Sequence, residues 1–183
     1  MDGLKEAKYK VVENFLSKDE LLICKKYLIS KQRESKNFTK DNVNLDTGIY
    51  LDELLNVFLE IKQPLMEKIL NLELIKTFSF CRIYTYKSTM HKHTDRPSCE
   101  YSATIHVDSD KPNWPLYFNG VPVSIKPGDA IIYKGCDVEH WREEFEGDYH
   151  IQFFIHYVNK NGPHKEHGND ALIQKELNYR KSR

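Results

Sequence analysis

Between Phe78 and Val158 the chain breaks into short runs rich in β-branched and aromatic residues. They are FSFCRIYTY (78–86), SATIHV (102–107), WPLYF (114–118), VPVSI (121–125), DAIIYK (129–134) and YHIQFFIHYV (149–158), with Gly, Pro, Asn and Asp between them. Short strands at regular spacing argue for an all-β sandwich or barrel. Gly128-Asp129 suits a hairpin turn, and Gly135 and Gly147 suit further turns. Trp114, between Pro112 and Pro115, reads as a tight turn with an aromatic plug.

Upstream the pattern is different. VVENFLSKDELLICKKYLISK reads as a short strand followed by a helix, with Ser17 and Glu20 as a capping box at the helix start. Leu21, Cys24, Tyr27 and Leu28 then recur at helical spacing. The polar stretch 31–47 reads as a loop. A second helical region from Leu51 to Leu70 places Leu54, Phe58, Ile61, Leu65 and Ile69 on one face, and Pro64 should kink it or start a new segment. The expected architecture is mainly β with flanking α-helices, a jelly-roll barrel carrying helices on its outside. One domain of 183 residues is expected, with supporting elements at 10–75, the β core at 76–158 and a polar tail at 159–183.

Composition removes several classes of function. Twenty-seven basic and 27 acidic residues give a net charge of zero, without the basic footprint of a nucleic-acid binder. No apolar run approaches the roughly 20 residues a membrane span needs. The opening MDGLKEAKYK lacks the apolar stretch of a signal peptide. The four cysteines, Cys24, Cys81, Cys99 and Cys136, form no CxxC pair, so neither a zinc ribbon nor a disulfide framework is expected. A reducing, cytoplasmic setting is the simplest expectation.

The densest chemistry lies in MHKHTDRPSCEYSATIHVDSD (90–110), where His93-Thr94-Asp95 and His106-Val107-Asp108 both have the form His-x-Asp. Residues i and i+2 of a strand point the same way, so such a pair aims an imidazole and a carboxylate at one point. Two histidines and one carboxylate on one face of an ion make the facial triad of non-haem Fe(II) oxygenases. The best third ligand is His140, in KPGDAIIYKGCDVEHWREEFEGDYH after a turn, a strand and a second turn.

These motifs, in order, resemble the Fe(II)- and 2-oxoglutarate-dependent dioxygenases, particularly those like prolyl 4-hydroxylase. The matching pieces are FLSKDEL, RIYTYKSTMHKHTD, SATIHV, PLYF, IKPGDAIIYKG, and His140 followed by EGDYHIQFFIHYV, covering Val11 to Val158. The resemblance implies a double-stranded β-helix in which His-x-Asp ends the second core strand and the distal His begins the seventh. Four strands lie between His93 and His140, and three between His106 and His140. The metal ligands it implies are therefore His93, Asp95 and His140. His91 forms a His-x-His with His93, as a cupin would use, but Glu100 falls too far along for cupin spacing, and His91 reads as a rim residue.

Relatives of this kind hold the distal carboxylate of 2-oxoglutarate with an Arg or Lys on the eighth strand. Here that neighbourhood is Tyr149 and His150. Three replacements are open: His150 with Gln152 beside it, His106 on the strand where relatives place a Tyr or Lys, and Arg96 from the loop after Asp95. Tyr84 resembles a family Tyr that hydrogen-bonds the co-substrate. A histidine anchor would have to be protonated, so binding would weaken as pH rises. Trp141 and Arg142, after the distal His, are expected at the substrate entrance, with packing beside the barrel as the other reading.

The resemblance implies oxidative decarboxylation of 2-oxoglutarate by O2 at Fe(II), giving succinate, CO2 and a hydroxylated substrate, with ascorbate admitted as an accessory. The substrate would be a peptidyl residue such as proline, or a small metabolite. A cupin-like metalloenzyme without 2-oxoglutarate, or a non-catalytic binding module on the same fold, are the rival readings. Oligomeric state is open.

Overall fold

The computed structural model describes Leu4 and residues 7–33, 39–40, 47–111 and 113–169, with 39–40 described by backbone alone. Among these, eleven strands and three α-helices follow one another. They are β1 (Tyr9–Val12), α1 (Lys18–Arg33), β2 (Thr39–Lys40), β3 (Thr47–Tyr50), α2 (Glu53–Ile61), α3 (Gln63–Leu70) and β4 (Leu74–Thr85). Then come β5 (Met90–His93), β6 (Tyr101–Ser109), β7 (Leu116–Phe118), β8 (Val121–Val123), β9 (Ala130–Tyr133), β10 (His140–Arg142) and β11 (Tyr149–Asn159).

The strands form two antiparallel sheets, in the order β1-β9-β6-β11-β4-β3-β2 and β5-β10-β7-β8. Pleating sends alternate side chains to opposite faces. One face of the large sheet carries Cys81, Ile83, Ala103, Ile105, Ile151, Phe153 and Ile155, all fully or almost fully buried. Against it pack Cys24 and Leu28 of α1, Leu55, Phe58 and Leu59 of α2, and Met66 and Leu70 of α3. The Phe58 and Phe153 rings meet with centroids 5.8 Å apart. Each fully buried side chain of this size contributes about 1.5–3 kcal/mol, so this layer fixes the large sheet. The opposite face turns toward the small sheet. Leu116, Phe118, Ile131, Tyr133 and Val138 make a second apolar cluster between the sheets. This is the two-sheet jelly roll expected, with helices on one outer face.

Local details follow the sequence. Ser17 and Glu20 cap α1 reciprocally: the Ser17 N–H donates to Glu20 Oε2 at 2.7 Å and the Glu20 N–H to Ser17 Oγ at 3.2 Å. Asp52 caps α2 by accepting from the Leu54 and Leu55 N–H groups. Pro64 stands in the first turn of α3, where its missing N–H costs nothing.

Other expectations are corrected. The buried stripe on α2 and α3 is Leu55, Phe58, Leu59, Met66 and Leu70, while Ile61 is half exposed, because the side of α2 that meets the sheet is centred on Leu55, Phe58 and Leu59. The stretch 31–47 is not all loop: α1 runs to Arg33, β2 lies within the stretch and β3 begins at Thr47, with 34–38 and 41–46 outside the described residues. Pro112, beside the Trp114 turn, and 170–183 of the expected tail also lie outside them. The tail is pinned as far as Asn169, whose N–H donates to the Lys76 carbonyl at 2.7 Å.

Candidate metal centre

His93 ends β5 and His140 begins β10, and the antiparallel register sets the two directly opposite each other. Their ring centroids are 4.4 Å apart. Asp95 follows His93 in an extended segment held by its own N–H, which donates to the Gly135 carbonyl at 2.8 Å. Gly135 has no positive φ, and its value here is its missing side chain. A Cβ there would collide with Asp95 Oδ2 and the Cys99 carbonyl oxygen, and would lie 2.8 Å from Asp95 Cβ.

Both imidazoles are aimed by backbone. Nδ1 of His93 donates to the His91 carbonyl at 2.7 Å, and Nδ1 of His140 to the Val138 carbonyl at 3.0 Å. That tautomer leaves each Nε2 with its lone pair turned toward Asp95 Oδ1, at 3.6 Å from His93 and 3.7 Å from His140. These separations are too long for hydrogen bonds. They suit atoms that share an ion at about 2.1 Å each. All three ligating atoms lie within 4.8 Å of one another.

The charge balance also calls for a cation. Burial would raise the Asp95 carboxyl, but the nearby imidazoles of His93, His140 and His156 outweigh it and hold the group low. His93 is raised, first by its interaction with Asp95. His140 is lowered, first by burial. Asp95 Oδ2 is buried with no hydrogen-bond donor. Two lone pairs and a carboxylate facing one point fit a divalent metal ion of the kind that two imidazoles and one carboxylate bind together.

The triad sits in a cavity of about 230 Å³. Its walls include Phe78, Phe80, Phe154 and His156 on the inner face of β4 and β11, with Arg82 and Arg96 beside them. The Arg96 guanidinium lies over the Phe78 ring at 4.7 Å. His156 was not singled out by the sequence. Buried, tilted against the Phe78 ring at 4.4 Å and bonded to Ser102 Oγ at 2.8 Å, its imidazole is pushed down to about 4 by burial.

The other His-x-Asp does not converge on a site. A bulge at Val107, where β6 slips against β11, turns Asp108 outward to an ion pair with Lys25 at 2.9 Å. His106 points inward, and its Nδ1 bonds the Ile125 carbonyl at 3.1 Å. His91 is exposed, and Glu100 accepts the Asn159 N–H away from the triad, so a cupin ligand set does not form.

The expected co-substrate residues divide. Tyr84 and Gln152 are buried on the inner face of the large sheet, next to the triad. Gln152 Nε2 donates to Thr104 Oγ1. His106 and His150 stack at 4.4 Å deeper in the barrel, and burial lowers both, with the nearby charge of Arg142 adding to the effect. Burial thus works against the protonated form that a histidine anchor would need. Arg96 stays at the cavity mouth. The entrance expectation is corrected for both residues after the distal His. Trp141 lies on the outer face of the small sheet, stacked on Tyr117 at 5.3 Å with Lys92 over its ring. Arg142 points the other way and is 4 % exposed. Its Nη1 donates to the Trp114 carbonyl, and its Nη2 to Gln152 Oε1 at 2.9 Å.

Comparison with solved structures places this architecture. A prolyl-4-hydroxylase from Pseudomonas putida superposes with a TM-score of 0.68 over 83% of this chain and 92% of its own, at 15% identity. EctD from S. alaskensis, solved with 2-oxoglutarate and 5-hydroxyectoine, gives 0.67 over 83% and 72% at 14% identity. A viral collagen prolyl hydroxylase from Paramecium Bursaria Chlorella virus-1, in complex with 2-oxoglutarate, gives 0.64 over 82% and 94% at 10% identity. The fold is that of the 2-oxoglutarate/Fe(II) oxygenases. No model of a protein family matches the sequence, and no curated relative matches it. No helix among the described residues is long and apolar enough to cross a membrane.

Proposed function

We propose that the protein is an Fe(II)- and 2-oxoglutarate-dependent dioxygenase that hydroxylates a peptidyl residue such as proline, or a small metabolite. One observation carries the reading. The Nε2 atoms of His93 and His140 and Asp95 Oδ1 converge at the floor of an open cavity, each histidine fixed in the ligating tautomer by a backbone carbonyl. The oxygenase fold of the structural neighbours supports it.

The overall reaction balances as substrate C–H plus 2-oxoglutarate plus O2, giving substrate C–OH, succinate and CO2. The substrate and 2-oxoglutarate each lose two electrons, and O2 takes up four. Fe(II) held by the three side chains would supply the O2 chemistry. The chain's part is to orient and to enclose. His93, Asp95 and His140 would hold the ion at one end of the cavity. Phe78, Phe80 and Phe154 give the cavity an apolar wall, which would limit water beside the reacting C–H. Tyr84 and Gln152 offer polar atoms on the inner wall toward the co-substrate.

The test is anaerobic addition of Fe(II) and then 2-oxoglutarate to the metal-free protein. A visible charge-transfer band should grow with 2-oxoglutarate and be absent in His140→Ala, and O2 should then release succinate. Iron binding with neither band nor succinate rejects the reading in favour of a binding module on the same fold.

A further inference from the structure

Burying a guanidinium without a counter-charge is costly. Arg142 is buried at the inner wall of the barrel, and no carboxylate pairs with it among the described residues. Its contacts are neutral: the Trp114 carbonyl, the Gln152 amide oxygen, and the Trp114 ring face 4.3 Å from Cζ. Two of its five N–H groups are thereby used. A protein that holds a cation this way has placed it for an anion that arrives from outside.

The route to it starts at the triad. The main cavity and a narrow arm share Tyr84, Met90, Tyr133, His140 and Phe154, and Thr104, Arg142 and Gln152 close the arm. The arm has a volume of only about 10 Å³. Met90 lines both spaces, and its unbranched thioether chain can give way. His140 and Arg142 are two residues apart on β10 and border the same arm. Two residues of strand are roughly 7 Å, comparable with the reach of an extended five-carbon diacid from its chelating end.

We infer that Arg142 is the anchor of the distal carboxylate of 2-oxoglutarate, and thus the residue that selects a keto-diacid over a keto-monoacid. The assignment rests on the dioxygenase reading. The cation stands on the strand of the distal histidine, and the strand that pairs with β4 and β6 instead supplies Gln152, which orients the guanidinium through Oε1. His106 and His150 stack on each other beside it. Trp114 and Tyr84 complete the cradle.

The experiment compares 2-oxoglutarate with pyruvate, a keto acid without the distal carboxylate. Both are titrated anaerobically into the Fe(II) protein by calorimetry. Arg142→Met should bind Fe(II) like wild type, lose about 100-fold in 2-oxoglutarate affinity and keep pyruvate affinity within a few-fold. Arg142→Lys should fall between. Equal loss of both acids makes Arg142 a packing residue and overturns the assignment, as does a retained preference for 2-oxoglutarate in Arg142→Met. If the Met variant does not fold, the wild-type preference decides. A guanidinium anchor holds it constant from mildly acid to mildly basic pH, and a decline along an imidazole titration assigns it to His106 or His150. Wild type that binds Fe(II) but neither keto acid defeats the dioxygenase reading itself.

Discussion

Gly135 and Asp95 share one small volume: the glycine carbonyl accepts the aspartate N–H, and the carboxylate fills the space a glycine side chain would take. Gly135→Ala should therefore push the carboxylate off the line to the two histidines. The expected result is at least a tenfold loss in Fe(II) affinity and a destabilisation of about 1–3 kcal/mol. Metal titration and denaturant unfolding of the same sample measure both.

Metal should stabilise the fold by mass action, because the unfolded chain cannot assemble ligands from β5 and β10. At a hundred times its dissociation constant a bound ion adds about 2.7 kcal/mol. In a chain of this length that raises Tm by roughly 5–10 °C. Mn(II), which avoids oxidation, should produce the shift in wild type and not in Asp95→Asn, as read by thermal unfolding.

Acid should weaken the protein earlier than carboxylate protonation alone would. His156 is held at about 4 by burial, against 6.5 when unfolded, and His106 and His150 are lowered too. Between the two values the unfolded state binds the extra proton, so stability is full above about 6.5 and falls with pH toward 4. His156 alone accounts for a loss on the order of 3 kcal/mol below about pH 4, of which about 2 kcal/mol is reached by about pH 5. Urea midpoints at about pH 7 and about pH 5 should differ accordingly, and the difference should shrink in His156→Leu. A midpoint unchanged over that range would contradict the burial of these rings.

Tyr157 offers a control on the scaffold. Its hydroxyl donates to the Leu59 carbonyl at 2.6 Å, tying β11 to α2 on the face away from the triad. Tyr157→Phe should cost about 1 kcal/mol and leave Fe(II) affinity unchanged. Unfolding and metal titration separate the two effects.

How far the sequence could be read depended on what each strand is for. Strands that bury apolar faces, such as Phe78–Tyr84 and Ile151–Ile155, announce themselves in β-branched and aromatic residues. Strands β5 and β10, with the sequences MHKH and HWR, do not. Their residues serve the site or the solvent, and only pairing with a neighbour makes them strands. The convergence of His93, Asp95 and His140 was legible through the resemblance to the dioxygenases, whose strand order chose between two His-x-Asp pairs that spacing alone left equal. Arg142 was misplaced because it was read together with Trp141. The signal was present all the same: His140-x-Arg142 has the alternation of His93-x-Asp95, and the rule that joined the first pair also joins the second. The outward turn of Asp108 had no such signal, since a bulge is set by two strands together.

The small sheet ends at β5, a strand of four residues that pairs among the described residues with β10 alone, and that edge carries one candidate ligand while its neighbour carries another. An ion between His93 and His140 would therefore be a clasp on the edge of the barrel as well as the proposed reaction centre. Chelation should quicken amide hydrogen exchange at 90–93 while leaving β4, β6 and β11 protected. If the proposed site takes iron, metal loading and the order of this edge strand should rise together.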